Sequence, residues 1–298
     1  MRIGTRASPL ALAQAQTVAD LFEGAQLVSV TTTGDRNRAS GDTPFGAQDK
    51  ERWVKELETA LLAGDIDLAV HSAKDVPSLL PDRLELVGAP ARGDPLDALV
   101  GAASLAALPE GARVGTASLR RAAQLRALRS DLDVVDLRGN VDTRLRKLAE
   151  GEVDALVLAA AGLIRLGREA EIGCLLSDLV PCAGQGTLVL EGRTDDDDAR
   201  VAAWGITDVA TWVALRAERR LVLGLDASCN TPLGAHATIG DEGIVLRTFV
   251  GLPDGSAWLR DETPPVATPN EAGELAASRL LSAGAADLLR RAEKLAAR

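Results

Sequence analysis

Three segments set arginines beside small polar residues or glycine. Arg120 and Arg121 lie in VGTASLRRAAQL, Arg138 and Arg144 in LRGNVDTRL, and Arg165 in AAAGLIRLG. Each segment joins a strand-like run to a helix-like run, so the small residues fall where helix starts leave backbone N–H groups free. A helix start, room for close approach and a guanidinium fork together make a carboxylate or phosphate site. Three such junctions in about one domain's length point to a ligand with several anionic groups. The competing reading of each segment taken singly is helix capping with surface ion pairs.

Arg6 and Ser8 in GTRASPLALAQ repeat the device at the first helix start, with Pro9 suited to an early helical position. HSAKDVP places His71, Ser72, Lys74 and Asp75 at a strand end, the edge where α/β sheets bind ligands. A carboxylate there can stabilise a developing cation, and a lysine can hold an anion. An ordinary turn with a lysine–aspartate pair is the plainer alternative, and His71 itself reads as structural. Cys229, in DASCNTPLGA, has the polar turn setting of an attachment point rather than of a packed thiol. The usual fate of a free cysteine, a small buried hydrophobe, is the reading assigned to Cys174 and Cys182. Gly184-Gln185-Gly186 reads as a tight backbone passage between domains. It lacks the lysine-serine/threonine of a phosphate loop.

The elements that must position these residues alternate. Strands are expected at 2–5, 26–32 and 67–72, and helices at 8–22 and 53–64, with a polar loop over 34–50. A second α/β unit runs from VGTASLRR through strands at 133–137 and 154–160. The strand within 181–192 is expected to return to the first sheet. DDDD at 195–198 reads as a solvated helix start. A long helix over 208–224 then leads to three strand-like runs, HATIG, IVLRTFVG and SAWLR, and a helical tail from Asn270. This is a mostly parallel α/β pattern followed by an α+β pattern.

At 298 residues, 46% hydrophobic and 26% charged, the chain is expected to be globular with two or three domains. Its net charge of −10 argues against nucleic acid as a partner, and an aromatic content of 2% argues against base-stacking platforms. Because 28 of the 33 basic residues are arginine, arginine abundance alone says little, and the local settings carry the argument. No apolar run is long enough for a membrane span, and the N-terminal stretch has no apolar signal core, so a cytoplasmic location is expected. An odd set of three cysteines and only two histidines argue against disulfides and against a metal site.

Taken in order, RIGTRASPLALAQA, VKELETALLAGDIDLAVHSAKDVPS, GDPLDALV, VGTASLRRAAQL, LRGNVDTRLRKL, LAAAGLIRLG, GQGTLVLEGR and SCNTPLGA resemble the porphobilinogen deaminase (hydroxymethylbilane synthase) family through nearly the whole chain. The resemblance implies two α/β domains similar to periplasmic binding proteins and a smaller C-terminal α+β domain. It implies a first domain at 1–91 plus 187–205, a second at 92–186 and a third at 206–298, with a hinge between the first two. It implies a monomer that joins four porphobilinogens head to tail into the linear tetrapyrrole hydroxymethylbilane, losing ammonia at each step. The implied cofactor is a dipyrromethane attached by a thioether to Cys229.

On the same basis Asp75 would stabilise the azafulvene-like cation left when ammonia departs. The carboxylate-binding set would be Arg6, Ser8, Lys74, Ser118, Arg120, Arg121, Arg138, Arg144 and Arg165, with Thr116 and Gly162 adding contacts. Lys50 would match the lysine of a loop motif that here reads Lys50-Glu51-Arg52-Trp53. Glu51 replaces the family's glycine and Trp53 its phenylalanine, a ring that could still stack on a pyrrole. Ala227 and Ser228 stand where relatives carry two glycines, and Leu96 where many carry arginine. Two further readings stay open: a two-lobed binding module for a polycarboxylate, needing the arginines but no attachment cysteine, and a catalytically silent paralogue.

Overall fold

A computed structural model describes residues 1–30, 48–227 and 231–296. The chain divides into two compact units, Met1–Gly93 with Thr187–Val213, and Asp94–Gly186 with Ala214–Arg298.

The first unit is built on strands β1 (Arg2–Arg6), β2 (Gln26–Val30), β3 (Leu68–Ser72), β4 (Leu84–Gly88) and β10 (Leu188–Arg193), in the order β2-β1-β3-β10-β4. β1 is parallel to both β2 and β3, whereas β10 pairs antiparallel with β3 and β4. The return of the 181–192 segment to the first sheet is thus realised, and β10 is the one reversed strand in a sheet otherwise parallel. Period-two alternation sorts its residues between two covers. Leu68, Val70, Leu188 and Leu190 face helices α1 (Pro9–Ala19) and α6 (Asp197–Gly205), through Ala15, Val18, Ala199 and Ala203. Ala69 faces helix α2 (Gln48–Ala63), through Leu57, Ala60 and Leu61. Each such fully buried leucine contributes about 1.5–3 kcal/mol. α2 begins earlier than the expected 53, because Gln48 to Glu51 contains no glycine or proline to stop it. Asp196 caps α6 by accepting from Ala199 N–H at 3.1 Å, and Asp197 and Asp198 occupy its first turn, as the acidic run led one to expect.

The second unit carries a sheet of the same pattern: β5 (Asp97–Val100), β6 (Arg113–Gly115), β7 (Asp133–Val135), β8 (Ala155–Ala159) and β9 (Ile172–Leu176), in the order β7-β6-β8-β5-β9. β6 is parallel to β7 and β8, and β5 is the reversed strand, antiparallel to β8 and β9. Leu99, Val114, Val134, Ala155 and Val157 pack on helix α3 (Leu119–Leu128). Ala98, Val100, Leu156 and Leu158 pack on α4 (Val141–Ala149) and α5 (Ala160–Arg165).

The same unit ends in an antiparallel sheet of β11 (Leu233–Gly240), β12 (Gly243–Gly251) and β13 (Trp258–Glu262) with the part of helix α7 (Val209–Gly224) from Ala214 onward and helices α8 (Pro269–Ser282) and α9 (Ala285–Ala296). The architecture is therefore α/β followed by α+β. No helix among the described residues is long and apolar enough to cross a membrane.

Candidate active site

In the first unit, adjacent parallel strands β1 and β3 end at one sheet edge, and the functional residues sit just beyond. β1 closes on Arg6, and Ser8 then caps α1 by accepting from Ala11 N–H at 3.3 Å, with Pro9 in the first turn. β3 closes on Ser72 and passes into a 3-10 turn, Ala73–Asp75, tied to the reversed strand's entry by Ala73 N–H donating to Thr187 O at 3.0 Å. Arg6, Ser8, Lys74 and Asp75 are all partly buried there. Lys50 and Trp53 belong to the backbone of α2. The expected loop over 34–50 lies outside the described residues as far as 47, and Cys229 lies outside them entirely.

The second unit repeats this arrangement three times along one edge. Strands β7, β6 and β8 are neighbours and parallel, so the segments leaving their C-terminal ends emerge together. After β6 comes buried Thr116, then Ser118, which caps α3 by accepting from Arg121 N–H at 3.4 Å. After β7 comes Asn140, which caps α4 by accepting from Thr143 N–H at 2.8 Å. Arg138 is half-exposed with its Nε donating to Asp136 at 2.8 Å, and Arg144 Nε donates to Gly139 O at 2.8 Å. Gly139 has φ +126°, a conformation that side chains with a Cβ disfavour, so the turn between the two arginines requires glycine. After β8 come Gly162 and Arg165 on α5. Arg165 Nη2 donates to Gly186 O at 2.6 Å, and burial pushes its guanidinium pKa down.

Arg120 and Arg121 occupy the first turn of α3 and point into the sheet, only 4% and 6% exposed. Asp97, at the start of β5 and fully buried, receives both. Arg120 Nη1 donates to Asp97 Oδ2 at 2.7 Å and Nη2 to Oδ1 at 3.1 Å, while Arg121 Nε donates to Oδ1 at 2.9 Å. Gln185 Nε2 donates to Asp97 Oδ1 at 2.9 Å and to Pro95 O at 2.7 Å. Burial alone would raise the Asp97 carboxyl. The charges of Arg120 and Arg121 and the hydrogen bonds from Arg120 and Gln185 outweigh it and hold the group well below the usual carboxylate range. Burial works against charge on the arginines too. Asp97 overcomes it at Arg120, but not at Arg121, where Arg120 also repels.

Two guanidiniums share one carboxylate, so the cluster keeps one excess positive charge away from water. The Nε–H of Arg120 is buried and has no acceptor among the described residues. A net cation with a spare donor beside a capped helix start fits a group bearing carboxylates, such as a dipyrromethane.

Asp97, Gln185 and Glu218 escaped the reading of the sequence. Gly184 and Gly186 take positive φ, and between them Gln185 turns fully inward to Asp97. Glu218 on α7, fully buried, accepts from Gly184 N–H at 2.6 Å and from Ala237 N–H at 2.9 Å, which fastens the glycine passage to the antiparallel sheet. A signal existed for Asp97: in the strand DALV it alternates with Leu99 toward α3, where a charge must find a partner.

Comparison with known proteins matches residues 1–201 to the family model "Porphobilinogen deaminase, dipyromethane cofactor binding domain" and residues 212–282 to "Porphobilinogen deaminase, C-terminal domain". A porphobilinogen deaminase of Roseiflexus sp. (strain RS-1) is 46% identical over 96% of this chain and 97% of its own. One of Deinococcus radiodurans is likewise 46% identical, over 96% and 97%. One of Rubrobacter xylanophilus is 44% identical over 96% and 95%. Among solved structures, a nutrient binding protein from Burkholderia cenocepacia bound to methionine superposes with a TM-score of 0.41 at 16% identity, over 72% of this chain and 95% of that one.

Proposed function

Since the chain belongs to the porphobilinogen deaminase family, we propose that it condenses four porphobilinogens head to tail into hydroxymethylbilane, releasing four ammonia and consuming one water. The observation that carries the reading is the row of three arginine-bearing strand-to-helix junctions along a single sheet edge. Each pyrrole brings an acetate and a propionate, so anionic charge grows with every condensation. Always-charged forks held at these strand-to-helix junctions answer that need better than mobile lysines.

A dipyrromethane, when bound in the second unit, would supply the primer pyrrole to which substrate is joined. Arg120 and Arg121, with Ser118, Thr116 and the α3 start, hold its carboxylates. Cys229 carries it through a thioether, for which a sulfur nucleophile is far better suited than a hydroxyl. Arg138, Arg144, Gly162 and Arg165 receive the carboxylates of the lengthening product. In the first unit Arg6, Ser8 and Lys74 bind substrate carboxylates, and Lys50 and Trp53 add a cation and a ring. Asp75 stabilises the positive charge that develops as ammonia leaves. The same reading makes the enzyme a cytoplasmic monomer in which 206–298 acts as the cofactor-attachment domain.

The test is peptide mapping and turnover of the purified protein. An adduct of two linked pyrroles on Cys229, lost together with activity in Cys229→Ser and kept in Cys174→Ala and Cys182→Ala, supports the proposal. An unmodified Cys229 in protein that turns over porphobilinogen would overturn the attachment, and no hydroxymethylbilane from loaded protein would overturn the activity.

A further inference from the structure

Beneath α2, on the first sheet, lies a cluster of titratable side chains with no part in the chemistry above. His71 on β3 is 7% exposed and Glu191 on β10 is fully buried. Antiparallel pairing sets Glu191 opposite Ala69 and Val189 opposite His71, so all four residues share the face that α2 covers. His71 Nε2 stands 2.9 Å from Glu191 Oε2. The approach is short but poorly aligned: neither Nε2 nor either Glu191 oxygen meets hydrogen-bond geometry among the described residues. Glu58, half-buried on α2, completes the cluster. Its carboxyl is pushed up to about 7, first by burial and then by the charge of Glu191, with His71 and Lys55 acting in the opposite direction. The remaining charged side chain of β10, Arg193, is engaged elsewhere, donating to Leu61 O and Ile66 O and pairing with Asp196.

Stability gives no reason for such a cluster. A buried pair can commonly be replaced by apolar residues of similar volume at no loss, and Leu68, Val70, Leu188, Val189 and Leu190 on the same strands are already apolar. What the pair does have is position. His71 is the penultimate residue of β3, and the turn Ala73–Asp75 follows directly. Glu191 lies on the strand whose entry, at Thr187, already accepts from Ala73 N–H. A contact between these side chains adds a side-chain tie to the backbone ladder that pairs His71 with Val189 and Ser72 with Leu188, directly before the turn that carries Lys74 and Asp75.

We propose that His71 and Glu191 are positioning residues for the reaction: their contact across β3 and β10 holds the turn that presents Lys74 and Asp75. This rests on the reading of Asp75 as the reaction's carboxylate. Glu58, whose carboxyl burial pushes up to about 7, gains its charge beside this contact as pH rises through neutrality and loosens the turn.

The test is steady-state kinetics of the holoenzyme across pH with porphobilinogen. His71→Leu should lower kcat about a hundredfold, the effect of a misplacement on the order of 1 Å, with KM moving less than about threefold. His71→Gln, which restores a side-chain N–H donor near the position of Nε2, should recover most of that loss. Glu58→Gln, which keeps the side chain's volume, should abolish a step in kcat expected near neutral pH in the wild-type enzyme. Unchanged kcat in soluble His71→Leu overturns the proposal, as does equal damage from Leu and Gln. Should His71→Leu fail to fold, the Glu58→Gln profile decides, and a profile identical to wild type overturns it. Asp75→Asn is run alongside: full activity there removes the role of Asp75 itself, a failure separate from that of the His71–Glu191 contact.

Discussion

Replacing Asp97 by asparagine keeps its volume and removes its charge, so no cavity is created and the electrostatic cost stands alone. One oxygen of Asp97 accepts from Arg120 Nη2, Arg121 Nε and Gln185 Nε2, and the other from Arg120 Nη1. In Asp97→Asn the carbonyl can serve the first group, but the amide then turns an N–H toward Arg120, and two buried guanidiniums lose their one counter-charge. Four charge-assisted bonds at about 1.5–3 kcal/mol each would sum to more than the site can lose. Removal of one partner of a buried pair is a better guide, at about 3–5 kcal/mol. At ~1.4 kcal/mol per decade, that is a fall of roughly 140- to 3,700-fold in hydrogen-exchange protection for amides of β5, β6 and β8. Amides of β1 and β3 in the other unit serve as the internal control.

The pH arm has a definite sign. Asp97 is held below its unfolded value, so its contribution is fully present above about pH 4. It is lost only as pH falls through the depressed native value. Wild-type protection in the second unit should therefore persist to pH 4, and Asp97→Asn should lack that contribution throughout. The variant should also carry less cofactor, by intact mass, because its arginines are no longer held for a ligand. Protection falling by less than about fivefold, or falling equally in both units, would refute the reasoning.

Asp75→Asn should lose activity by roughly a hundred- to a thousandfold while exchange protection of β1 and β3 stays at wild-type level; near-normal turnover would remove the carboxylate from the mechanism. Arg120 or Arg121 variants should be isolated mostly without cofactor, whereas Arg138, Arg144 or Arg165 variants should keep it and accumulate short intermediates, as native mass spectrometry after limited substrate would show. Identical behaviour of all five would count against a division by strand end. Glu58→Gln should change how thermal stability depends on pH. The raised Glu58 carboxyl favours the folded state most below its unfolded value near 4.5, and that advantage is lost as pH rises through about 7. The wild-type Tm should thus fall relative to the variant between pH 5 and pH 8, and parallel curves would refute the assignment.

The strand-to-helix junctions were legible because local chemistry writes them. Ser8, Ser118 and Asn140 each cap the helix that follows, and an arginine within a few residues marks the ligand edge. The return of β10 to the first sheet was legible too, since GTLVLEG has nowhere apolar to go except into a sheet; its reversed direction was not. Strands β4, β5 and β9 went unread: none of them runs into a capped α-helix start of the kind that marked β1, β6 and β7. The partners of Arg120 and Arg121 were invisible for a different reason. Asp97 lies more than twenty residues before them and Gln185 more than sixty after, and no local pattern announces a contact at that distance. Read locally, the two arginines look like open forks; the structure shows forks already braced on a carboxylate, with one spare Nε–H.

The place of β10 in the first sheet also orders events during synthesis. β3 and β4 are not bonded to each other; the strand that joins them, Leu188–Arg193, comes about a hundred residues later in the chain. At ~5–20 residues per second a ribosome takes roughly 5–20 s to supply it. Throughout that interval the nascent N-terminal half holds β1, β2 and β3 with an open edge of unpaired N–H and C=O groups on β3. The intervening residues form a sheet with all five strands in one continuous stretch, and so can fold first. The middle sheet can therefore form before the N-terminal sheet closes, and the antiparallel sheet of β11, β12 and β13 follows both in the chain. Any factor that shields a bare strand edge has its work on this chain between the synthesis of Ser72 and that of Leu188.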